Sequence, residues 1–310
     1  MTIPNFPKEH ADFIISNIDA EAIRAKKFKV VVDMINASAC VMDPYLFKKL
    51  GVELIPLNNI PNGKFGHKPE PTVENLVSTG KIVKDSEADL GFAHDPDADR
   101  LVIINEFGEV ISEDYTLAFG VENILSKNPG RNVVINMSTS NMIVDIVKKY
   151  NGKCFRTKVG ESNVLDGIIE HQAIIGGEGT SGVVYPKINT SRDSFVSLSL
   201  ALELLAQRNQ TVSQCVASLP KYFIKRDKWP VNDNLGEIYK KLKNHFGDAE
   251  SNELDGLRLD FTDGSWIHFR PSITEPIARL FVEAKTQERT DALFEETKKL
   301  TLSSQYAKIL

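Results

Sequence analysis

An acidic loop lies between two apolar segments in residues 89–105, whose sequence is DLGFAHDPDADRLVIIN. Asp95, Asp97 and Asp99 occupy alternate positions of this loop, and Arg100 follows them directly. Side chains two positions apart face away from each other on a helix, whereas in a loop they can converge on one point. Three converging carboxylates repel each other unless a cation neutralises them, and their oxygens suit Mg²⁺ or Ca²⁺. The stretch therefore predicts a strand, a metal-binding loop and a second strand.

The calcium loop of the EF-hand is an alternative for these aspartates. That loop requires glycine at its sixth position and glutamate at its twelfth. Counted from Asp95, the sixth residue is Arg100 and the twelfth is Glu106, with the strand-like residues 101–104 between them. The arginine at the glycine position argues against the EF-hand. An acidic surface turn without a metal is the other alternative, and it fits poorly between two apolar strands.

The alternation of strands and helices extends on both sides of the loop. β-Branched segments favour strands at 29–33, 52–57, 89–93, 101–105, 132–136, 153–157 and 173–177. Amphipathic segments favour helices at 44–50, 72–84, 141–150, 161–171 and 191–206. After an extended connector at 222–228, the order is a helix at 235–246, strands at 257–261, 265–270 and 278–284, and a helix at 289–300.

Strands that alternate with helices predict βαβ units with largely parallel sheets. The last segment changes to a small α+β pattern. We place domain boundaries near residues 128 and 225, which gives domains 1–128, 129–225 and 226–310. The expected fold class is α/β, with two consecutive mixed α/β domains followed by a small C-terminal α+β domain.

Composition restricts the partners that the protein is expected to have. The 310 residues are 42% hydrophobic and 25% charged, and the formal net charge is -5. A mildly acidic chain has no overall attraction for nucleic acid or for an anionic membrane, so neither is expected. Cys40, Cys154 and Cys215 lie far apart, which disfavours disulfides and zinc and fits a cytoplasmic location. No apolar run approaches the roughly 18 residues of a membrane span.

A glycine-rich loop, GGEGTSG, occupies residues 176–182 after an apolar segment. Glycines permit a tight turn and the close approach of a ligand. Glu178 and Thr180 add an acceptor and a hydroxyl, the kind of pair that holds sugar hydroxyls. The sequence matches neither the P-loop nor the dinucleotide-binding pattern, and a plain glycine turn is the alternative.

A basic loop, RPSITEP, occupies residues 270–276, and Arg279 follows it. Arginine side chains, hydroxyls and turn amides together can form a phosphate site. A proline-bounded turn with solvated polar residues is the alternative. Since one loop suits a cation, one a polyol and one a phosphate, a phosphosugar is the simplest ligand that needs all three.

At these three loops the chain resembles the α-D-phosphohexomutases, and it looks most similar to the phosphoglucosamine and phosphomannose mutases. DPDADR, then GGEGTSG followed by VVYP and SRDS, and then RPSITEP resemble the metal, sugar and phosphate loops of that family in the same order. FGHKPEP at 65–71 and TKVG at 157–160 resemble further family segments. The resemblance extends from about His10 to the C-terminus, and it implies the second, third and fourth phosphohexomutase domains for the three predicted domains.

The resemblance implies an isomerase that moves a phosphoryl group between the 1- and 6-positions of a hexose phosphate by way of a phosphoserine. It implies that Asp95, Asp97 and Asp99 bind Mg²⁺ and that Arg100 is a catalytic cation. It further implies that sugar hydroxyls bind to Glu178 and Thr180. The phosphate that is not transferred is then expected at Arg270, Ser272, Thr274 and Arg279.

Two departures from the family pattern bear on the expected function. No TASHNP-like string occurs, so the phosphoserine domain has no counterpart among these residues. We therefore expect a mutase body that is inactive alone, that pairs with a separate N-terminal serine domain, and that has a weak, water-completed Mg²⁺ site. Ile273 stands where the family favours glycine or asparagine, and a β-branched residue at positive φ would be strained, which predicts weaker phosphate binding. A non-catalytic phosphosugar-binding protein is the alternative function, and a metal-dependent sugar phosphatase is a third.

Overall fold

The computed structural model describes residues 5–230, 234–272 and 277–302. Three β-sheets follow one another along this part of the chain, two mixed and one antiparallel. Helices cover the sheets, which confirms the predicted α/β class with a final α+β segment. In the described ranges, no helix combines the length and the apolarity that a membrane span needs.

The first unit is built on a four-stranded sheet with the order β2-β1-β3-β4. Its elements are α1 (Phe6–Ser16), α2 (Ala20–Lys26), β1 (Lys29–Asp33), α3 (Ala39–Lys49), β2 (Glu53–Leu57), α4 (Val77–Asp85), β3 (Leu90–His94) and β4 (Leu101–Ile104). β2, β1 and β3 are parallel, whereas β4 returns antiparallel to β3. The side chains of β3 and β4 are buried throughout, as is typical of strands covered on both faces.

The second unit repeats this topology with the strand order β6-β5-β7-β8, in which only β8 is antiparallel. Its elements are α5 (Asp114–Lys127), β5 (Val133–Asn136), α6 (Asn141–Lys149), β6 (Cys154–Thr157), α7 (Glu161–Glu170), β7 (Ile175–Glu178), β8 (Gly182–Val184), α8 (Ser194–Arg208) and α9 (Val212–Ser218). In each unit a loop between the last two strands, which are antiparallel, carries the polar motif. The acidic loop and the glycine-rich loop are therefore equivalent in topology.

The third unit is a five-stranded antiparallel sheet with the order β10-β11-β12-β13-β9. Its elements are β9 (Phe223–Pro230), α10 (Leu235–His245), β10 (Glu250–Asn252), β11 (Leu257–Asp260), β12 (Trp266–Pro271), β13 (Ile277–Ala284) and α11 (Gln287–Thr301). Apolar side chains of α10 and α11 pack with one face of the sheet and form a core of their own. The opposite face carries Arg258, His268, Arg270 and Arg279 together with Trp266 and Phe281.

Three predicted elements differ from those in the structure. The predicted connector at 222–228 is β9, a strand that pairs with β13 along its whole length. Its sequence, FIKRDKWP, lacks the apolar alternation of a strand, because both faces of this edge strand carry charged side chains. The helix predicted at 72–84 begins only at Val77, after turns that bond back to Thr72. The helix predicted from Pro44 begins at Ala39, whose side chain is buried in the core.

The predicted boundary at residue 128 lies after α5, yet α5 packs against α8, α6 and β7 of the second unit. One cluster of buried apolar side chains runs through both the first and the second unit. These two units therefore share a core, whereas the third unit has a separate one. A shared apolar core holds the first two units in a fixed relation.

A partly buried ion pair links α1 to the start of α8. His10 Nε2 lies 2.6 Å from Asp193 Oδ2, and Asp193 also accepts hydrogen bonds from Phe195 N and Val196 N as the N-cap of α8. The hydrogen bond with Asp193 raises the pKa of His10 above its usual 6.5. Burial favours a higher pKa for Asp193, but the bonds from His10 and Asn189 outweigh it and lower that pKa.

This pair predicts a pH-dependent stability. The contribution of His10 is complete below pH 6.5 and is lost as the pH rises through the raised pKa. Between pH 6 and pH 9 we expect the free energy of unfolding of the wild type to fall by about 1 kcal/mol more than that of His10→Gln does. Urea unfolding at the two pH values measures the difference.

His245→Gln is the matched control, because the His245–Glu296 pair is exposed on both sides. The His245→Gln variant should show the same pH dependence of stability as the wild type. An equal loss of stability in the wild type and His10→Gln would contradict the prediction.

Candidate functional site

The acidic loop joins the antiparallel strands β3 and β4. Ala98 adopts a φ of 60°, and this left-handed residue turns the chain between Asp97 and Asp99. Asp95 Oδ1 accepts hydrogen bonds from Asp99 N at 3.1 Å and Arg100 N at 3.0 Å, and its Oδ2 accepts from Arg100 Nε at 2.6 Å. One oxygen from each of the three aspartates lies within 4.8 Å of the other two. The convergence that the sequence predicted is therefore present.

The three carboxylates differ in their proton affinity. Burial, together with a hydrogen bond to Asp95, raises the pKa of Asp99 to about 7. Burial also acts to raise the pKa of Asp95, but bonds from Arg100 N, Asp99 and the Arg100 side chain outweigh it and hold that pKa below its usual value. The raised pKa lets the loop take up a proton at Asp99, where the negative charges are closest together. Three oxygen donors of this kind fit a hard divalent cation, which would replace that proton.

The glycine-rich loop places Glu178 at the end of β7. Glu178 Oε1 accepts from Asn136 Nδ2 at 2.7 Å and from Gly160 N at 2.9 Å, while Oε2 lies 3.1 Å from Arg192 Nη1. Thr180 lies in the turn that follows and is half-buried. Glu178 is therefore held in position by the protein itself, whereas Thr180 faces the cavity beside it.

Arg192 connects the acidic loop to the glycine-rich loop. Its guanidinium forms ion pairs with Asp99, with Glu178 at 3.1 Å and with Glu161 at 3.3 Å. The side chain can cross the glycine-rich loop because residue 182 is glycine: a Cβ there would lie 2.2 Å from Arg192 Cδ. One arginine thus balances carboxylates from the first and the second unit.

Cationic side chains form a row across the face of the third sheet that α10 and α11 do not cover. Arg270 on β12 is paired with Arg279 on β13, which is paired in turn with Lys228 on β9. Residues opposite each other on neighbouring strands point to the same face, and like charges in these positions repel. Arg226 lies two residues from Lys228 on the same face, where its Nη2 lies 2.5 Å from Asp114 Oδ2 of α5. An anion bound beside this row would relieve the repulsion.

The turn before β11 holds Arg270 in place. Arg270 Nε lies 3.1 Å from Asp255 Oδ2, and the same oxygen accepts a hydrogen bond from Val159 N at 2.8 Å. Gly256 follows with φ +78°, and a Cβ there would lie 2.7 Å from Arg270 Cβ. Asp255 therefore links the third unit to the 157–160 segment of the second.

A second polar contact joins these units at the floor of the cleft. His268 Nε2 lies 2.5 Å from the carbonyl oxygen of Asp255, so this nitrogen carries the hydrogen. Burial lowers the pKa of His268 to about 4, so the ring is neutral near pH 7. Its Nδ1 then accepts from Ser138 Oγ at 2.9 Å. The polar turn at 137–140, to which the sequence assigned no role, is thus part of the junction.

Two adjoining cavities of about 400 and 220 Å³ open between the three units. Both are lined by Thr180, Arg226, Arg279 and Phe281. The larger also reaches Arg100 and Lys228, and the smaller reaches Glu178, Arg192 and Arg270. Together they form one cleft.

Five of the predicted site residues line this cleft: Arg100, Glu178, Thr180, Arg270 and Arg279. Asp95 adjoins it through Arg100, and Asp99 adjoins it through Arg192. Ser272 lies at the end of β12, where its N donates to Ile277 O at 2.8 Å. Thr274 and Ile273 lie outside the described residues.

Sequence reasoning missed three cations of the cleft: Arg192, Arg226 and Lys228. Arg192 belongs to the SRDS segment, which was noticed only as a family likeness. Arg226 and Lys228 alternate on a segment that was predicted to be a connector. Such alternation on a strand could have indicated a shared face.

A cleft with a carboxylate cluster at one side and a row of cations at the other has the charges that a phosphorylated ligand together with a divalent cation would need. Three family models match the chain in succession: phosphoglucomutase/phosphomannomutase alpha/beta/alpha domain II at residues 8–108, domain III at 112–223, and the C-terminal domain at 229–300. The chain belongs to the phosphoglucomutase/phosphomannomutase family.

Similar proteins carry several names within this family. A phosphoglucomutase/phosphomannomutase of Thermococcus kodakarensis is 36% identical over 91% of this chain and 62% of its own length. A probable phosphoglucosamine mutase of Methanopyrus kandleri is 34% identical over 90% of this chain and 62% of its own. A solved family structure from Burkholderia thailandensis, 27% identical, matches 95% of this chain and 63% of its own with a TM-score of 0.82. The chain thus spans less than two thirds of the length of these proteins.

The proton on Asp99 predicts how metal binding depends on pH. At pH 6 most molecules hold that proton, since the pKa of Asp99 is raised to about 7. Binding of Mg²⁺ should therefore release close to one proton at pH 6 and almost none at pH 9, and the affinity should rise with pH between them. Calorimetry in two buffers of different ionisation enthalpy measures the released protons.

Asp99→Asn removes the titrating group and should abolish the proton release. Asp85→Asn, at the exposed end of α4, is the control and should behave as the wild type. A wild-type affinity that does not change between pH 6 and pH 9 would be evidence against this assignment.

Proposed function

We propose that this chain forms the metal-, sugar- and phosphate-binding body of a phosphohexomutase, an isomerase that transfers a phosphoryl group between the 1- and 6-positions of a hexose phosphate. The observation that carries the proposal is that Arg100 of the acidic loop, Glu178 and Thr180 of the glycine-rich loop, and Arg270 and Arg279 of the third sheet line a single cleft. Membership of the mutase family supports the same reaction class.

Each side of the cleft would have its own role. Asp95, Asp97 and Asp99 would hold Mg²⁺, which when bound supplies positive charge beside the phosphoryl group in transfer. Arg100, anchored by Asp95 at 2.6 Å, would add a fixed cation on the side of the larger cavity. Phosphoryl transfer depends mainly on positioning and charge neutralisation, and this edge of the cleft provides both.

The other side of the cleft would bind the phosphate that is not transferred. Arg270 and Arg279 stand next to each other on β12 and β13, and Lys228 adds a charge on β9. Ser272 and Thr274 would contribute hydroxyls from the loop between the same strands. Since Arg270 is buried and paired with Asp255, its position is preset before a ligand arrives.

Sugar hydroxyls would bind between these two sides, at Glu178 and Thr180. Both oxygens of Glu178 already accept bonds from the protein, so its orientation is fixed before binding. A carboxylate oxygen has a further lone pair for a sugar hydroxyl. The names of similar proteins include glucose, mannose and glucosamine mutases, so the proposal extends to hexose phosphates as a class.

The phosphoryl donor is the remaining requirement of the reaction. We propose that a phosphoserine of a further domain supplies it, in the cytoplasm, and that these 310 residues taken by themselves do not turn over. One oxygen of that phosphoserine would complete the ligands of Mg²⁺, and until then water would complete them. The greater length of the similar proteins supports a further domain.

A mixing experiment tests the donor. We expect that adding a separately produced, phosphorylated serine domain from a similar mutase restores Mg²⁺-dependent interconversion of hexose 1- and 6-phosphates. Asp97→Asn should abolish this activity, since it removes one of the three carboxylates. Binding of hexose phosphate without turnover in any mixture would instead favour a non-catalytic phosphosugar-binding protein.

The cation row gives a prediction about phosphate binding. Arg279→Gln should weaken the binding of glucose 6-phosphate about tenfold, because a charged hydrogen bond to the phosphate contributes on the order of 1.5 kcal/mol. Lys228→Gln should weaken it less, since Lys228 is exposed. Isothermal titration calorimetry measures both.

Lys225→Gln is the matched control for these variants. Lys225 lies on the same strand but on the opposite face, where it pairs with Asp291 and Glu295 of α11. Its removal should leave binding unchanged. Equal losses of glucose 6-phosphate affinity in Lys225→Gln and Arg279→Gln would indicate a general effect of charge. That result would refute the proposed phosphate site.

A further inference from the structure

A chain of three buried side chains lies beneath the acidic loop. They are Asp43 on α3, His94 at the end of β3 and Ser194 at the start of α8, and none of them is exposed to solvent. His94 Nδ1 lies 2.8 Å from Ser194 Oγ, and His94 Nε2 lies 3.0 Å from Asp43 Oδ2. The chain crosses from the first unit to the second.

The chain ends on the backbone of the acidic loop. Ser194 Oγ donates a hydrogen bond to the carbonyl oxygen of Ala98 at 2.6 Å, and Ser194 N donates to the same oxygen at 3.1 Å. Ala98 is the left-handed residue between Asp97 and Asp99. A residue other than glycine keeps this conformation only where its surroundings support it. Two hydrogen bonds on one carbonyl provide that support, and they orient the peptide that leads to Asp99.

The direction of the hydrogen bonds follows from the number of hydrogens. A serine hydroxyl has one hydrogen, and here Ala98 receives it. Ser194 Oγ must therefore accept from His94 Nδ1–H, which leaves Nε2 facing Asp43. The ring of Phe195 lies 5.4 Å from that of His94 and limits its movement. Each member of the chain thus restricts the next.

Asp43 lowers the stability of the fold in this position. Among the described residues, no well-directed hydrogen bond reaches either of its carboxylate oxygens, and His94 Nε2 approaches Oδ2 at 3.0 Å. A buried carboxylate with so few partners destabilises a fold compared with an apolar side chain. Its place in the core is therefore better explained by what it orients than by stability.

We propose that Ser194 is a positioning residue for the metal loop, oriented by His94 and Asp43. It holds Ala98 in the left-handed conformation, so that the carboxylates on either side converge before a cation binds. This inference rests on the proposed metal site. It gives the SRDS segment two tasks, since Arg192 balances the charge of Asp99 while Ser194 fixes the backbone beside it.

Ser194→Ala tests the proposal, with Mn²⁺ as the probe. We expect Mn²⁺ binding, followed by electron paramagnetic resonance, to weaken about 10-fold, as is usual when a group that orients a metal ligand is lost. The amide hydrogens of Asp99 and Arg100, which bond to Asp95, should exchange faster in the metal-free protein. Ser194→Thr keeps the hydroxyl and should restore both properties.

Ser197→Ala is the matched control. Ser197 is a buried serine of the same helix whose hydroxyl bonds to Asp193 O at 2.7 Å, away from the acidic loop. It should match the wild type in Mn²⁺ affinity and in exchange at residues 99 and 100. Should Ser194→Ala fail to fold, the nearly isosteric Asp43→Asn is expected to change both measurements in the same direction, by less.

Wild-type Mn²⁺ affinity and unchanged amide exchange in Ser194→Ala would overturn the inference and leave the proposed function intact. Equal effects of Ser194→Ala and Ser197→Ala would also overturn it. If the wild type itself binds no Mn²⁺, the proposed metal site fails. Faster exchange at residues 99 and 100 in Ser194→Ala alone would then still support the positioning of the loop.

Discussion

Repulsion among three carboxylates is the constraint on which the rest of this structure depends. Asp95, Asp97 and Asp99 can converge only if cations, protons or both offset their charge. Arg100 contributes one cation from within the loop, and Arg192 reaches Asp99 from the second unit. An arginine can do this only if the two units keep a fixed relation, and the shared apolar core provides it. The convergence of the three carboxylates therefore depends on the packing of the first two units.

The third unit contributes positive charge to the cleft, opposite in sign to the carboxylates of the acidic loop. Its cation row lies on the sheet face that α10 and α11 leave uncovered. Polar contacts join it to the second unit, among them His268 with Ser138 and Arg258 Nη1 with the Met137 carbonyl at 2.5 Å. Such an interface is more easily rearranged than an apolar core. A phosphorylated ligand that contacts the cation row and a cation at the acidic loop would add contacts across this interface.

Much of this could be predicted from the sequence. The alternation of strands and helices indicated the α/β units, and alternate aspartates between apolar strands indicated the carboxylate cluster. β9 was not recognised, because it is an edge strand whose side chains are mostly charged, so that pairing with β13 makes it a strand. Arg192 and Ser194 were not recognised either. Their partners, Asp99 and Ala98, lie more than ninety residues away along the chain.

The sequence by itself determined the family, the order of the three loops and the chemical character of each loop, because these depend on residue types and on short spacings. The tertiary structure alone decided which side chains share the cleft and which are already held by the protein, as Glu178 is. It also decided that a buried chain from Asp43 to Ser194 ends on the acidic loop. Contacts of this kind depend on how separate units pack, and local sequence patterns do not record that packing.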